Sequence, residues 1–223
     1  VNQMVKEAQN PQVDVKSLIK ELMENEIPTA YKHISRSVVA VQAAVTTTDE
    51  DGVTSVRLDN PQSGFFFLPE GKMSNEGYVL TTYDAINGAS YTYIVTDNFQ
   101  TARAEIIGGD PDTNITVIKA NMDFLEDPSQ YRTIEVAQEV EIGEPVYVAG
   151  VNDEWAFVAV QNGGTQPAIK FYRGALSNET RFFRHRLANG KVAGKYASFF
   201  QISSPMGDGA EGGPTCNSRG EVV

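Results

Sequence analysis

Short apolar runs, separated by turn-forming residues, fill most of this 223-residue chain. Runs of four to eight such residues, punctuated by Gly, Pro, Asn and Asp, predict β-strands. A first set of strands is predicted at 37–45, 64–68, 78–82, 91–96, 102–107 and 115–120, and a second at 145–150, 156–161, 169–176, 182–187, 192–196 and 199–203. The polar segment 46–61 is predicted to be a loop, and Asn189-Gly190 signals a tight hairpin. Two such sets predict an all-β fold of two tandem six-stranded antiparallel β-barrels.

The N-terminal 36 residues follow a helical pattern instead. After the capping residue Asp14, apolar side chains recur at helical spacing, and Pro28 ends this helix or opens a second short one over 29–35. We expect a helical extension at 1–36 that packs on the domain; the tail of an anchor or an oligomerisation helix is the alternative. The double-barrel domain is expected at 37–223, with barrel 1 at about 37–120, a connector at about 121–139 and barrel 2 at about 140–223.

Composition limits the classes of partner. The formal net charge of −11 argues against binding to nucleic acid or anionic lipid. No apolar run reaches membrane-spanning length, and no signal peptide is visible. The chain begins at Val1 rather than Met, so we expect a fragment. The single cysteine, Cys216, excludes an internal disulfide and a multi-cysteine metal site, and we interpret it as a buried, inert thiol.

The run from Met206 to Pro214, Met-Gly-Asp-Gly-Ala-Glu-Gly-Gly-Pro, predicts a tight backbone turn, because glycine serves where the chain needs positive φ or close approach. Together with segments upstream, it resembles the HtrA/Deg branch of the chymotrypsin-like serine proteases. The resembling segments are Ser37–Val39, Gln62–Phe66, Gly77–Ala89, Ile107–Lys119, Ile142–Gly150 and Arg173–Ser177, in the family's order.

The resemblance implies three departures at the family's catalytic triad. The histidine position falls on Asp84, the aspartate position on Asn114 and the serine position on Glu211. A carboxylate at 211 has no proton to lose, so we interpret the chain as a pseudoprotease and not an enzyme. The resemblance also places the family's oxyanion-hole amides at Gly209 and Glu211, and we hypothesise that the Glu211 carboxylate folds into that hole.

The expected role is a binding, sensor or scaffold module of a larger bacterial protein that holds a protein or an extended peptide. We expect no cofactor, an extracytoplasmic location at the periplasm or cell surface, and no direct membrane contact, with an upstream anchor. The alternatives are a hydrolase that uses Asp84 and Glu211 as a carboxylate pair, and a structural spacer. A cation site formed by Asp84, Glu211 and Asp208, with Asn114, is a further hypothesis.

A basic cluster and a tryptophan each have two possible interpretations. A basic cluster is either an exposed hairpin face or a dock for an acidic partner, and it comprises Arg181, Arg184, His185, Arg186, Lys191 and Lys195. Trp155 is a surface anchor or a lid on the core. Because the chain stops within an expected strand after Gly220, we expect more protein to follow, such as the PDZ domain that often follows in the family.

Overall fold

The computed structural model describes residues 27, 29–151, 169–184, 186–187 and 190–223. Residues 29–34 are helical and run into a 3-10 turn at Ser35–Ser37. The strands are β1 Val38–Thr48, β2 Thr54–Leu58, β3 Gln62–Phe66, β4 Tyr78–Thr82, β5 Tyr91–Val95, β6 Thr101–Asp110, β7 Ile115–Ala120, β8 Pro145–Gly150, β9 Lys170–Phe183, β10 Ala197–Ile202 and β11 Thr215–Cys216. Further 3-10 turns lie at Ser74–Glu76, Met122–Phe124 and Pro128–Gln130. Among the described residues, no helix combines the length and hydrophobicity needed to cross a membrane.

A closed six-stranded β-barrel confirms the first predicted set of strands. Its order is β1-β3-β4-β7-β6-β5, and pairing of β5 with β1 closes it. Each pairing is antiparallel, with Val39 opposite Gly64 and Ala43 opposite Thr92 on the two sides of β1. Alternate residues of these strands fill the interior, where Val41, Ile94 and Ile118 are fully buried. The barrel therefore provides a rigid frame for the loops at its ends.

The segment 46–61 corrects the prediction of a loop. It contains β2, which pairs with the far end of β1, from Ala44 opposite Leu58 to Thr48 opposite Thr54. Most of β2 is exposed. A strand with one weak apolar face has little hydrophobic signal, and its pairing depends on the length of β1.

A second sheet has the order β10-β9-β8-β11 among the described residues. β9 is a 14-residue strand whose first half pairs with β8 and whose second half pairs with β10. The separate strand predicted at 182–187 is therefore wrong in its first residues, which continue β9. At the strand predicted over 192–196, only an isolated bridge between Val192 and Arg186 is present. The strand predicted at 156–161 lies outside the described residues, so the described part is a sheet rather than the predicted second barrel.

The helical residues 29–34 pack against this second sheet. Ala30 and Ile34 share a buried cluster with Tyr147, Ala149 and Cys216. The predicted short helix over 29–35 is thus present and contributes to the core, whereas the longer helix predicted upstream lies outside the described residues. Burial raises the pKa of the Cys216 thiol to about 12, which fits an inert thiol.

Candidate functional site

The glycine-rich loop at 207–213 sits on the barrel, and Ser63 on β3 holds it there. Ser63 is fully buried, and its Oγ donates to the Gly209 carbonyl at 2.5 Å while accepting the Val151 N–H at 2.9 Å. The Ser63 N–H donates to the Glu211 carbonyl at 2.9 Å. One barrel residue thereby ties the loop to the end of β8. Its segment was part of the resemblance, but no sequence signal predicted this role.

Two glycines let the loop approach its supports. Gly212 has a φ of +84°, and a Cβ there would collide with the Ser63 carbonyl oxygen. A Cβ at Gly213 would collide with the Ala149 carbonyl oxygen. The Gly-Gly pair is therefore required by positive φ at one position and by close backbone approach at both.

The Glu211 side chain turns back onto its own loop. Its Oε2 accepts a hydrogen bond from the Gly209 N–H at 3.0 Å, across a turn in which Gly209 has a φ of +85°. The Gly209 N–H is one of the two donors named in the hypothesis for Glu211, whereas an oxyanion hole formed by them stays a prediction. Backbone N–H groups in such turns attract anions, so the carboxylate acts as an internal ligand of the amide.

Neighbouring groups fix the orientation of the loop's peptide planes. Lys170 Nζ donates to the Asp208 carbonyl at 2.8 Å, and the Gly213 N–H donates to the Ala210 carbonyl at 3.1 Å. Because C=O and N–H point in opposite directions across a trans peptide, the N–H groups of Gly209 and Glu211 are directed away from these contacts. Within the described residues, the Glu211 N–H has no protein acceptor. The loop therefore offers one occupied and one open amide donor.

The structure also brings Asp84 and Asn114 together. Asn114 has a φ of +59°, a conformation that asparagine tolerates better than most residues. Its Oδ1 accepts the Asp84 N–H at 3.0 Å, and its carbonyl accepts the Tyr83 N–H at 3.0 Å. Asn114 thus holds the turn that carries Asp84 through the backbone.

The Asp84 and Glu211 segments approach each other at β4, but their side chains have different surroundings. A Cβ on Gly212 would lie 3.2 Å from the Thr82 nitrogen, two residues before Asp84. Asp84 lines a cavity of about 370 Å³ to which Glu211 does not contribute. The other residues that line this cavity are Leu58, Asp59, Asn60, Gln62 and Ala85. The proposed pairing of the Asp84 and Glu211 carboxylates therefore stays a prediction.

The hypothesis of a cation site needs correction. Within the described residues, no group of three or more His, Cys, Asp or Glu side chains is placed to hold a metal ion. Glu211 Oε2 accepts a hydrogen bond from the Gly209 N–H within its own loop. Asp208 contributes its backbone carbonyl, to Lys170. The set Asp84, Glu211 and Asp208 is thus not assembled as a metal site.

Comparison with known protein families identifies the family to which this chain belongs. A family model described as a trypsin-like peptidase domain matches residues 62–223, which is most of the chain. The chain belongs to the trypsin-like peptidase domain family. The match includes β3 with Ser63, the Asp84 and Asn114 turns, and the Glu211 loop.

Three relatives of this trypsin-like peptidase domain are named as proteases, and their sequence identity to it is low. A serine protease Do-like HtrA of Lactococcus lactis subsp. cremoris is 25% identical over 212 residues, covering 90% of this chain and 48% of the relative. Probable periplasmic serine endoproteases, DegP-like, of Chlamydia trachomatis and Bartonella henselae are 24% and 26% identical, covering 68% and 72% of this chain. The chain covers 26% of each of these two, so it spans half or less of these relatives.

These comparisons overturn the prediction that the trypsin-like peptidase domain is not an enzyme. The family is one of peptidases, and the relatives are named serine proteases and endoproteases. The positions predicted to match the triad hold Asp84, Asn114 and Glu211. That substitution pattern is a property of the sequence, and the comparisons give no support for loss of activity.

The remaining candidate residues of the trypsin-like peptidase domain lie apart from this loop. Arg184, Arg186, Lys191 and Lys195 follow β9 in the connection to β10, and the Lys195 N–H donates to Asp112 Oδ1 at 2.9 Å. Arg181 is on β9. His185 and Trp155 lie outside the described residues. Lys170, which orients the Gly209 amide, was not predicted, since a single lysine on a strand carries no sequence signal.

Proposed function

We propose that this domain binds extended polypeptide at the Glu211 loop, as a binding or sensor module of a larger HtrA/Deg-like protein. The observation that carries the proposal is the hydrogen bond from the Gly209 N–H to the Glu211 carboxylate. A polypeptide offers the same kind of acceptor in its carbonyl oxygens and its C-terminal carboxylate. The Glu211 side chain then acts as an internal competitor for the site.

Peptide hydrolysis is the second candidate, because the family and the names of the relatives favour it. Glu211 has no hydroxyl nucleophile, so hydrolysis at this loop would use a water activated by Glu211 or Asp84 as general base. The amide donors of Gly209 and Glu211 would then stabilise the oxyanion that forms when water attacks the peptide carbonyl.

The setting of the domain is also a proposal. Two of the relatives are named probable periplasmic endoproteases. We propose an extracytoplasmic location and attachment of this domain to further protein. In that protein the second sheet would be part of a second barrel packed in tandem with the first.

Binding of a fluorescently labelled, permanently unfolded polypeptide tests the proposal. Glu211→Ala removes the competing carboxylate and leaves the Gly209 N–H free. Hydrogen bonds to charged groups contribute up to about 3 kcal/mol, but Glu211 is exposed, so we expect affinity to rise by only about three- to tenfold. The matched control is Glu105→Ala, which removes an exposed carboxylate on β6 and should leave affinity unchanged.

The same samples separate binding from hydrolysis when the polypeptide is analysed for cleavage. Binding strengthened by Glu211→Ala supports the proposal. Cleavage that Glu211→Gln abolishes would favour hydrolysis at this loop. Failure of both the wild-type protein and Glu211→Ala to bind the polypeptide would refute the proposed binding function.

A further inference from the structure

Within the part of the chain that the structure describes, the distal part of the second sheet is a two-stranded ribbon. β9 pairs with β8 only as far as Ala175, whereas from Leu176 to Phe183 it pairs with β10 alone among the described strands. We call β9 from Leu176 to Phe183, β10 and the described residues between them the aromatic ribbon. Isolated two-stranded ribbons are marginally stable in water, so such an element gains from contact with another surface.

Large aromatic side chains are exposed on both faces of the aromatic ribbon. Phe182 is 71% exposed and Phe183 is 45% exposed, and as neighbours on a strand they point to opposite faces. Phe183 stacks on Phe199 across the strands, with ring centroids 4.2 Å apart. Tyr196 is 69% exposed and Phe200 is 48% exposed. Exposed aromatic side chains concentrated in one segment are a feature of interaction sites.

Most of the aromatic ribbon carries a charge opposite to that of the chain, and its one acidic residue is Glu179 near its start. Residues 181–196 contain five of the 18 Lys and Arg residues and none of the 29 Asp and Glu residues. The Arg184 guanidinium lies over the Tyr196 ring, 5.4 Å from its centroid. Basic and aromatic groups are therefore interleaved along this segment of an acidic protein.

We propose that the aromatic ribbon docks on an anionic phospholipid surface. A flat protein partner would cover one face of a ribbon, whereas the headgroup region of a bilayer can surround both faces. Aromatic side chains favour that region, and Lys and Arg are attracted to anionic headgroups. The expectation of no membrane contact rested on the net charge of the whole chain, and the local charge at the ribbon has the opposite sign. This proposal is independent of the Glu211 loop.

Vesicle co-sedimentation tests the proposal on the whole chain. We expect binding to vesicles of phosphatidylglycerol mixed with phosphatidylcholine, little binding to phosphatidylcholine alone, and release by added salt, because salt screens the attraction. Phe182→Thr with Tyr196→Thr should reduce binding at least about tenfold. Arg184→Gln with Lys195→Gln should do the same. The matched controls, Met73→Thr and Lys32→Gln with Lys72→Gln, change exposed residues outside the ribbon and should bind as wild type.

Site-specific labelling gives a second readout. Because Cys216 is buried, Phe182→Cys and Phe183→Cys can each carry a polarity-sensitive fluorophore selectively. Both labels should shift to the blue on phosphatidylglycerol vesicles, whereas a label at Met73→Cys should not. A shift at one of the two ribbon positions alone would overturn insertion of both faces.

Other outcomes also overturn the proposal. One is absence of binding to phosphatidylglycerol vesicles at low salt while circular dichroism shows folded protein. Another is binding that the ribbon variants leave unchanged. Self-association without vesicles that Phe182→Thr abolishes would identify a second copy of the chain as the occupant instead.

Discussion

Gly212 lies where the Glu211 loop packs against the barrel without room for a side chain. It combines a φ of +84° with the Ser63 carbonyl oxygen and the Thr82 nitrogen at the position of a side chain. Gly88 has almost the same φ, +85°, but open space where a Cβ would lie. Comparing substitutions at the two glycines therefore separates the cost of backbone strain from the cost of steric collision.

We predict that Gly212→Ala destabilises the fold more than Gly88→Ala does. A left-handed backbone costs an L-residue about 1–2 kcal/mol, which applies to both variants. Collision in a packed site adds about 1–3 kcal/mol, and it applies to Gly212→Ala alone. Urea unfolding of both variants measures the difference. Equal loss of stability would show that the loop does not lie against Ser63.

Asn114 stabilises the turn that carries Asp84. Its side chain and its carbonyl both hold the turn at Tyr83 and Asp84. An aspartate could accept the same hydrogen bond, so this structural task does not require asparagine. The turn geometry explains the left-handed backbone at Asn114, and it gives no reason for an amide rather than a carboxylate at this position.

At the scale of elements, the turn that follows β11 is organised by buried Asn217. Its Oδ1 accepts the N–H groups of Arg219 and Glu221, each at 3.0 Å, and its Nδ2 donates to Glu221 Oε2 at 2.8 Å. The Arg219 Nε donates to the same oxygen at 2.7 Å. The Asn217 amide first, and then the Arg219 guanidinium, lower the pKa of Glu221 below its ordinary value of 4.5.

A lowered pKa makes this turn sensitive to acid. The ionised Glu221 stabilises the folded state above pH 4.5, and this contribution is lost as the pH falls through the lower folded pKa. We predict that Glu221→Gln reduces the slope of unfolding free energy against pH below 4.5, as measured by urea unfolding at several pH values. Glu105→Gln is the control for removal of a carboxylate. A slope unchanged by Glu221→Gln would contradict the turn's geometry.

Periodicity and turn residues predicted the elements that local sequence determines. β4, β7 and β8 have the predicted bounds, because Tyr78–Thr82, Ile115–Ala120 and Pro145–Gly150 are apolar runs with clear turns on both sides. β2 was missed, since its pairing depends on the length of β1. β9 was divided because its second half pairs with β10 instead of burying an apolar face.

The candidate site was predictable to the extent that it lies in one loop. The contact between Glu211 and Gly209 spans two residues, and the resemblance, which placed the Gly209 amide beside Glu211, was enough to suggest it. Ser63 and Lys170 reach the loop from distant strands, and a pattern within one segment does not report such contacts. Whether the Gly209 and Glu211 amides form an oxyanion hole stays a prediction.

At the scale of the whole molecule, the Glu211 loop contacts both the barrel and the second sheet. Ser63 holds it from the barrel side, and Lys170 and Ala149 hold it from the sheet side. These contacts hold the backbone of the loop in place, so the Glu211 side chain can change its conformation without moving that backbone. A polypeptide that displaces the carboxylate from the Gly209 N–H therefore needs no change in the surrounding fold.

The most direct measurement is the amide NMR signal of Gly209 in ¹⁵N-labelled protein, with and without the unfolded polypeptide. Loss of a charged acceptor changes the shift of an N–H, so Glu211→Ala should move the Gly209 signal. Saturating polypeptide should move it again in both the wild-type protein and Glu211→Ala, at a lower concentration in the variant. A Gly209 signal that neither Glu211→Ala nor the polypeptide moves would contradict an amide site occupied by Glu211 and open to a polypeptide.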